Sequence, residues 1–288
     1  MPNAQLLAVV FMVLSMISYQ ISASFAKQLF TVLDPLSVTI LRLSFAAIIV
    51  CIMFRSWHIL KRLSFLKWRN LLCYSAALGL MNVLFYASLS KLPQGIAVGL
   101  EFIGPLGLAL LSIKQRGDYI WVLLAIVGIA LIVPWGQVQG DNFSITGAIL
   151  ALSAGLCWAL YIYFGQKVVH QNIGMHALTI AISLSAITLL PIGLYNNAPA
   201  LLETQYWGKA LAIAILATAI PYTLDLQVLK RINKVSYGTL LSLSPALAAL
   251  TGLFILGEKI SFLQWIALAC VMLASVGVTI RSSKNKNA

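Results

Sequence analysis

Two ionisable side chains stand inside long apolar runs, Arg42 in VTILRLSF and Glu101 in GLEFIGPL. An acid and a base so placed can hold the two ends of a zwitterion. A guanidinium takes a carboxylate, and a carboxylate takes an ammonium group or a proton. Lys27, near the end of the first run, is a second candidate for the carboxylate. Two arrangements are open at this point: a polar recess facing a solute, or an Arg42–Glu101 ion pair that fastens two helices while Lys27 reaches the interface. Asp225, five residues before Lys230, reads as an interfacial acid. Other runs supply amides and rings: Asn82, Phe85 and Tyr86, then Trp158, Tyr161 and Tyr163, then Tyr222. Asn82, Phe85 and Trp158 are expected to line a cavity, and rings near the run ends to form interface belts.

Prolines place helix breaks beside these groups. Pro105 has no N–H, so the Glu101 carbonyl loses its helical partner; Pro221 does the same to Ala217, and Pro245 to Leu241. Inside a bilayer a freed carbonyl must face a cavity or another helix. All three are candidate gating breaks, with packing kinks as the alternative. Gly95-x-x-x-Gly99 and the stripe Gly147, Ala151, Gly155, Ala159 point to close helix contact rather than chemistry.

Catalytic patterns are missing. His58, His170 and His176 lie at run margins without an HExxH, and there is no GxSxG. Gly252-x-x-x-x-Gly257-Glu258-Lys259 lacks the Lys-Ser/Thr of a phosphate loop. Cys51, Cys73, Cys157 and Cys270 all fall in apolar runs without metal spacing. No catalytic residue, metal or cofactor is expected. Without a nucleotide-hydrolysing loop, any solute movement must follow a gradient.

The elements that hold these residues are set by lipid. Of 288 residues, 61% are hydrophobic and 9% charged, against about a quarter charged in soluble domains. Mean hydropathy is +0.95. This excludes a soluble enzyme. The net charge of +12 forms no patch of the kind nucleic acid needs, so no nucleic-acid partner is expected. Roughly 20 apolar residues cross a bilayer, and ten runs come near that, at 6–26, 36–54, 70–90, 94–113, 119–136, 145–166, 175–195, 209–229, 236–256 and 261–280. The first could imitate a signal peptide, but MPNAQLL carries no basic residue and the run is long for one, so it is kept as a span.

Lys and Arg gather in alternate connections: at 55–69, at Lys114 and Arg116, at Lys167, at 230–234 and at 281–286. The opposite margins hold only Lys27, Lys91, Lys209 and Lys259. By the positive-inside bias both termini are cytoplasmic. Arg42 and Glu101 then sit six or seven residues into inward-running spans, at a shared depth of ~10 Å below the outer boundary.

The chain also resembles itself. LEFIGPLGLAL at 100–110 aligns with LLSLSPALAAL at 240–250, an offset of 140. The expected division is therefore a first repeat at 1–140 and a second at 141–288. Five spans per half invert the second copy, the arrangement of secondary transporters with a site near the midplane.

Several segments carry a family likeness: ASFAK ending at Lys27, VTILRL around Arg42, GLMNVLFY from Gly79 to Tyr86, GIAVGLEFIGPL from Gly95 to Leu106, Ile220-Pro221-Tyr222, and YGTLLSLSPALAA from Tyr237. In these the chain resembles the drug/metabolite transporter superfamily, in its EamA-domain family and most closely its RhtA-type threonine/homoserine exporters. The resemblance runs over almost the whole chain. It implies an all-helical membrane protein of ten spans in two inverted five-helix repeats, in the bacterial inner membrane. It further implies alternating-access export of small amino acids driven by the proton-motive force, with no cofactor, so the partners are the solute, protons and the bilayer. The matching positions are Lys27, Arg42, Asn82, Glu101, Pro105, Tyr222 and Pro245. One departs: the family commonly has Glu before the second-repeat proline, and here Ser244 stands there. Relatives also move aromatic amino acids, nucleotide-like or S-adenosylmethionine-like compounds and drugs. Outside transport, the rivals are a membrane-embedded enzyme and an assembly protein.

Overall fold

The structure is a computed structural model that describes residues 2–56, 65–110, 119–132, 144–169, 175–232 and 234–284. His58, Lys61, Arg62, Lys114, Arg116, His170 and Lys286 lie outside the described residues. Every regular element among those described is helical. In order they are α1 (Pro2–Leu29), α2 (Pro35–Phe54), α3 (Phe65–Leu89), α4 (Gln94–Glu101), α5 (Ile103–Leu110), α6 (Tyr119–Ile132) and α7 (Ile145–Val169). There follow α8 (Met175–Leu202), α9 (Trp207–Ala214), α10 (Ile220–Leu229), α11 (Lys234–Leu241), α12 (Ser244–Leu256) and α13 (Phe262–Lys284).

The ten apolar runs each become a helix or an interrupted pair. Seven described stretches are individually long and apolar enough to cross a membrane; Gln94–Leu108, Ile120–Leu131 and Phe262–Gly277 are shorter apolar helices. The bundle turns large apolar side chains outward, among them Ile52 at 69% exposure and Phe254 at 81%. Such a surface is stable against acyl chains and not against water.

Each interruption falls about one turn before a proline, where the missing N–H and the ring oppose a regular helix. The α4–α5 break is at Phe102, ahead of Pro105. The α11–α12 break lies just before Pro245, which takes a first-turn position of α12. Between α9 and α10 the chain widens into a π turn, Ile215–Ala219, and Pro221 opens α10. There the loose backbone carbonyls find donors on α1: Ser18 Oγ donates to Leu216 O at 2.8 Å and Ser22 Oγ to Ile213 O at 2.9 Å. A stripe of serines thus lets α1 lie along the broken α9–α10 span.

Turn chemistry fixes other ends. Asp34 caps α2, accepting from the Ser37 N–H at 2.9 Å and the Ser37 hydroxyl at 2.7 Å, with Pro35 beginning the helix. Gly257 ends α12 at φ +67°, a left-handed conformation that favours glycine.

Helices from the two ends of the chain interleave. α3 packs on α7 and α8, α2 on α8 and α9, and α1 on α10 and α12; α4 meets α7 and α12, and α6 meets α13. Gly104 and Gly155 allow the tightest of these approaches. A Cβ on Gly155 would strike the Glu101 carbonyl, and one on Gly104 the Gly155 backbone. The carbonyl freed by Pro105 is therefore covered by α7, as bilayer burial demands.

Candidate functional site

One cavity of about 240 Å³ lies among α1, α2, α3, α4, α7, α8, α10, α11 and α12. It is closed at the end where α1 finishes and α4 begins. The seal there is a buried apolar cluster that includes Phe85, Tyr86, Leu89, Leu92, Ile96 and Leu100. At the opposite end its wall residues Asp225, Tyr237 and Leu241 are partly exposed.

Arg42 and Glu101 both face this cavity, at 4% and 6% exposure. Among the described residues no ion pair joins them, so the helix-fastening arrangement is not the one formed. Arg42 is held from its other side: an Nη donates to Asn82 Oδ1, and the guanidinium lies 5.1 Å from the Tyr86 ring centroid. Asn82 Nδ2 in turn donates to Leu78 O at 2.7 Å, which fixes its orientation. Arg42 Nε is buried and has no partner. A guanidinium clamped on one edge and unsatisfied on another is ready for an anionic group.

Asn82, Trp158, Tyr222, Pro221 and Ser244 also line the cavity. Trp158 meets Phe102, the residue at the α4–α5 break, edge to face at 5.7 Å. Ser244 Oγ lies 3.4 Å from Met16 Sδ. The remaining candidates stand elsewhere. Phe85 is 1% exposed in the apolar seal, and Tyr86 touches the site only through Arg42. Pro105 and Pro245 shape the breaks without lining the cavity.

Lys27 lies beyond the seal. Its Nζ is 2.7 Å from Glu258 Oε1 and donates to Leu92 O, so it is engaged away from the cavity. Glu258 Oε2 accepts the Gln94 N–H at 2.6 Å, and the missing side chain of Gly252 makes room for that carboxylate. Gln94 ties in α1 and α12: Ser24 Oγ donates to its Oε1 at 2.7 Å, while its Nε2 donates to Gln20 O at 2.8 Å and Thr251 Oγ1 at 3.1 Å. A polar latch thus joins α1, α4 and α12 over the closed end.

Sequence reasoning did not reach Tyr19, Gln20 and Tyr237 in the cavity wall or Gln94 and Glu258 in the latch. The available signal was polarity itself: the Tyr19-Gln20 pair interrupts an apolar run, and Gln94 opens one. Asp225, read as interfacial, lines the cavity.

Known proteins resemble this chain along nearly its whole length. Residues 145–280 match the model of the EamA-like transporter family. The chain is 40% identical over 280 residues to the threonine/homoserine exporter RhtA of Escherichia coli strain K12, covering 96% of this chain and 93% of that protein. It is likewise 40% identical over 276 residues to RhtA of Salmonella typhimurium strain LT2, covering 95% and 92%. The uncharacterised transporter YwfM of Bacillus subtilis strain 168 is 25% identical over 231 residues, covering 77% and 76%. One solved crystal structure, 16% identical, superposes with a TM-score of 0.62 over 99% of both chains and shows the fold alone. Identity of 40% sustained from end to end means that the chain belongs to the EamA-like transporter family, alongside its RhtA-type members, as a multi-pass membrane transporter and not an enzyme.

Proposed function

We propose that this protein exports small amino acids such as threonine and homoserine across the bacterial inner membrane by alternating access, driven by the proton-motive force. The observation that carries the reading is the placement of Glu101 and Arg42 on one cavity without an ion pair between them. An acid and a guanidinium kept apart in a low-dielectric space are complementary to a zwitterion, the ammonium on Glu101 and the carboxylate on Arg42. The volume of about 240 Å³ is below the ~300 Å³ where pockets for drug-sized ligands begin. That favours a small solute over the larger compounds some relatives of this superfamily move.

Two inverted halves, 1–140 and 141–288, are the arrangement proposed for exchange between inward- and outward-open forms. The pairing of helices supports it. Swapping the first five spans for the last five turns the α3–α7 contact into α10–α1, α4–α7 into α11–α1, and α3–α8 into α10–α2 or α9–α2. Contacts of these kinds are present, while α2–α8 and α6–α13 map onto themselves. With both termini cytoplasmic, the partly exposed mouth faces inward and the latch faces outward. The form described is then the loading state of an exporter.

The test is efflux of radiolabelled threonine and homoserine from preloaded proteoliposomes, with and without an imposed pH gradient. Saturable efflux that quickens with the gradient is the expected result. No movement of either amino acid by well-folded protein would overturn the substrate assignment and leave the family membership untouched.

A further inference from the structure

The cavity holds a second acid that a single zwitterion does not use. Asp225 lines it from α10, and its Oδ1 is buried with no hydrogen-bond partner. The Ser15 and Tyr237 side chains, on α1 and α11, face this carboxylate. The nearest described base along the chain whose contacts are defined is otherwise engaged. Arg231 donates to Gln227 O at 2.6 Å and Gln227 Oε1 at 2.8 Å, and its guanidinium lies 5.8 Å from the Phe11 ring. Among the described residues no ion pair reaches Asp225. A buried carboxylate oxygen left without a donor in a membrane protein is costly and calls for a ligand.

Helix α1 supplies a ruler for its position. Tyr19 is within electrostatic reach of Glu101 and Arg42, whereas the Ser15 side chain meets Asp225. The two are one turn apart, ~6 Å along the helix at 1.5 Å per residue. Asp225 is therefore one turn nearer the exposed mouth than Glu101. Tyr19, Trp158, Tyr161 and Tyr222 also line this space, and aromatic faces attract a cation as it sheds water.

We propose that Asp225, with the hydroxyls of Ser15 and Tyr237, is a second cation subsite that takes the primary ammonium group of the incoming solute before it reaches Glu101. The proposal rests on the export reading for the direction of travel, but the subsite itself is a statement about ammonium binding. Charge supports it. With both acids ionised, Arg42, Glu101 and Asp225 leave the cavity one negative charge in excess, and a zwitterion bound to the first two leaves that excess in place. An ammonium group entering at Asp225 meets this field before it meets Arg42.

The test uses 2-aminopropanol, an amine without a carboxylate, titrated calorimetrically into the purified full-length protein. Asp225→Asn is expected to weaken binding about tenfold or more, as loss of a charge-assisted contact does, while Asp225→Glu stays within about threefold of wild type. Equal thermal melting of the three proteins excludes misfolding. Wild-type affinity in Asp225→Asn, or equal losses in Asp225→Asn and Asp225→Glu, overturns the subsite. In parallel, threonine efflux is measured on the same preparations. Amine binding that depends on Asp225 without threonine efflux keeps the subsite and removes the export reading; efflux with Asp225-independent amine binding does the reverse.

Discussion

Glu258→Gln should unfasten the closed end of the protein. The Glu258 carboxylate accepts the Gln94 N–H at 2.6 Å and forms an ion pair with Lys27, Nζ lying 2.7 Å from Oε1, with side-chain exposures of 14% for Glu258 and 22% for Lys27. Charge-assisted hydrogen bonds are about twice as strong as neutral ones, and a hydrogen bond to a charged group contributes roughly 1.5–3 kcal/mol. Neutralising Glu258 halves these contacts and keeps their shape. Partial exposure lowers the yield of the ion pair, so about 1.4 kcal/mol is a fair figure, tenfold in the balance between closed and open forms. The assay is labelling of Val98→Cys, a cavity position, by a membrane-impermeant thiol reagent added on the latch side, after the four native cysteines are replaced. Labelling should rise about tenfold in Glu258→Gln, and Lys27→Met should give a similar rise that does not add to it. Unchanged labelling in both, in protein that melts normally, would refute a latch at this end.

Further outcomes follow from other contacts. Arg42→Lys keeps the charge but loses the planar fork and the stacking over Tyr86; threonine affinity should fall about tenfold while 2-aminopropanol binding barely changes, and equal losses for both would count against a carboxylate site. Gly155→Ala places a Cβ against the Glu101 carbonyl, and overpacking of this kind costs ~1–3 kcal/mol, visible as a lower melting temperature; an unshifted melt would contradict the close approach. Asp34→Ala removes the α2 cap and should cost ~1 kcal/mol, with Asp34→Asn nearly neutral. Burial works to raise the Asp34 carboxyl, but hydrogen bonds from Ser37 and Asn197 outweigh it and hold it below its usual value. A depressed acid contributes stability above its unfolded pKa and loses it as pH falls through the folded one. The wild-type advantage over Asp34→Ala should be constant near neutrality and shrink as pH falls below about 4.

The spans were legible because lipid imposes length and apolarity on every one, and the breaks because Pro105, Pro221 and Pro245 act locally on the backbone. Glu101 and Arg42 were legible as charges in apolar runs. What sequence could not supply is where the cavity ends. Asn82 and Phe85 share a face of α3, yet Asn82 lines the cavity and Phe85, one turn further, belongs to the seal. Lys27 stands past the same seal, on a level read correctly as near the helix end but outside the solute's space. Asp225 is the converse: four residues from the end of α10 it reads as interfacial, and only the packing of α1 and α11 around it places it in the cavity wall.

The most direct test of the central claim, that one cavity reads both ends of an amino acid, is competition against counterflow of labelled threonine in proteoliposomes. Unlabelled threonine is compared with 1-aminopropan-2-ol, which is threonine without the carboxylate, and 3-hydroxybutyrate, which is threonine without the amine. Both truncated compounds should compete at least about tenfold less well, since each leaves Arg42 or Glu101 without a partner. A truncated compound that competes as well as threonine would mean that one of these two side chains does not hold the solute.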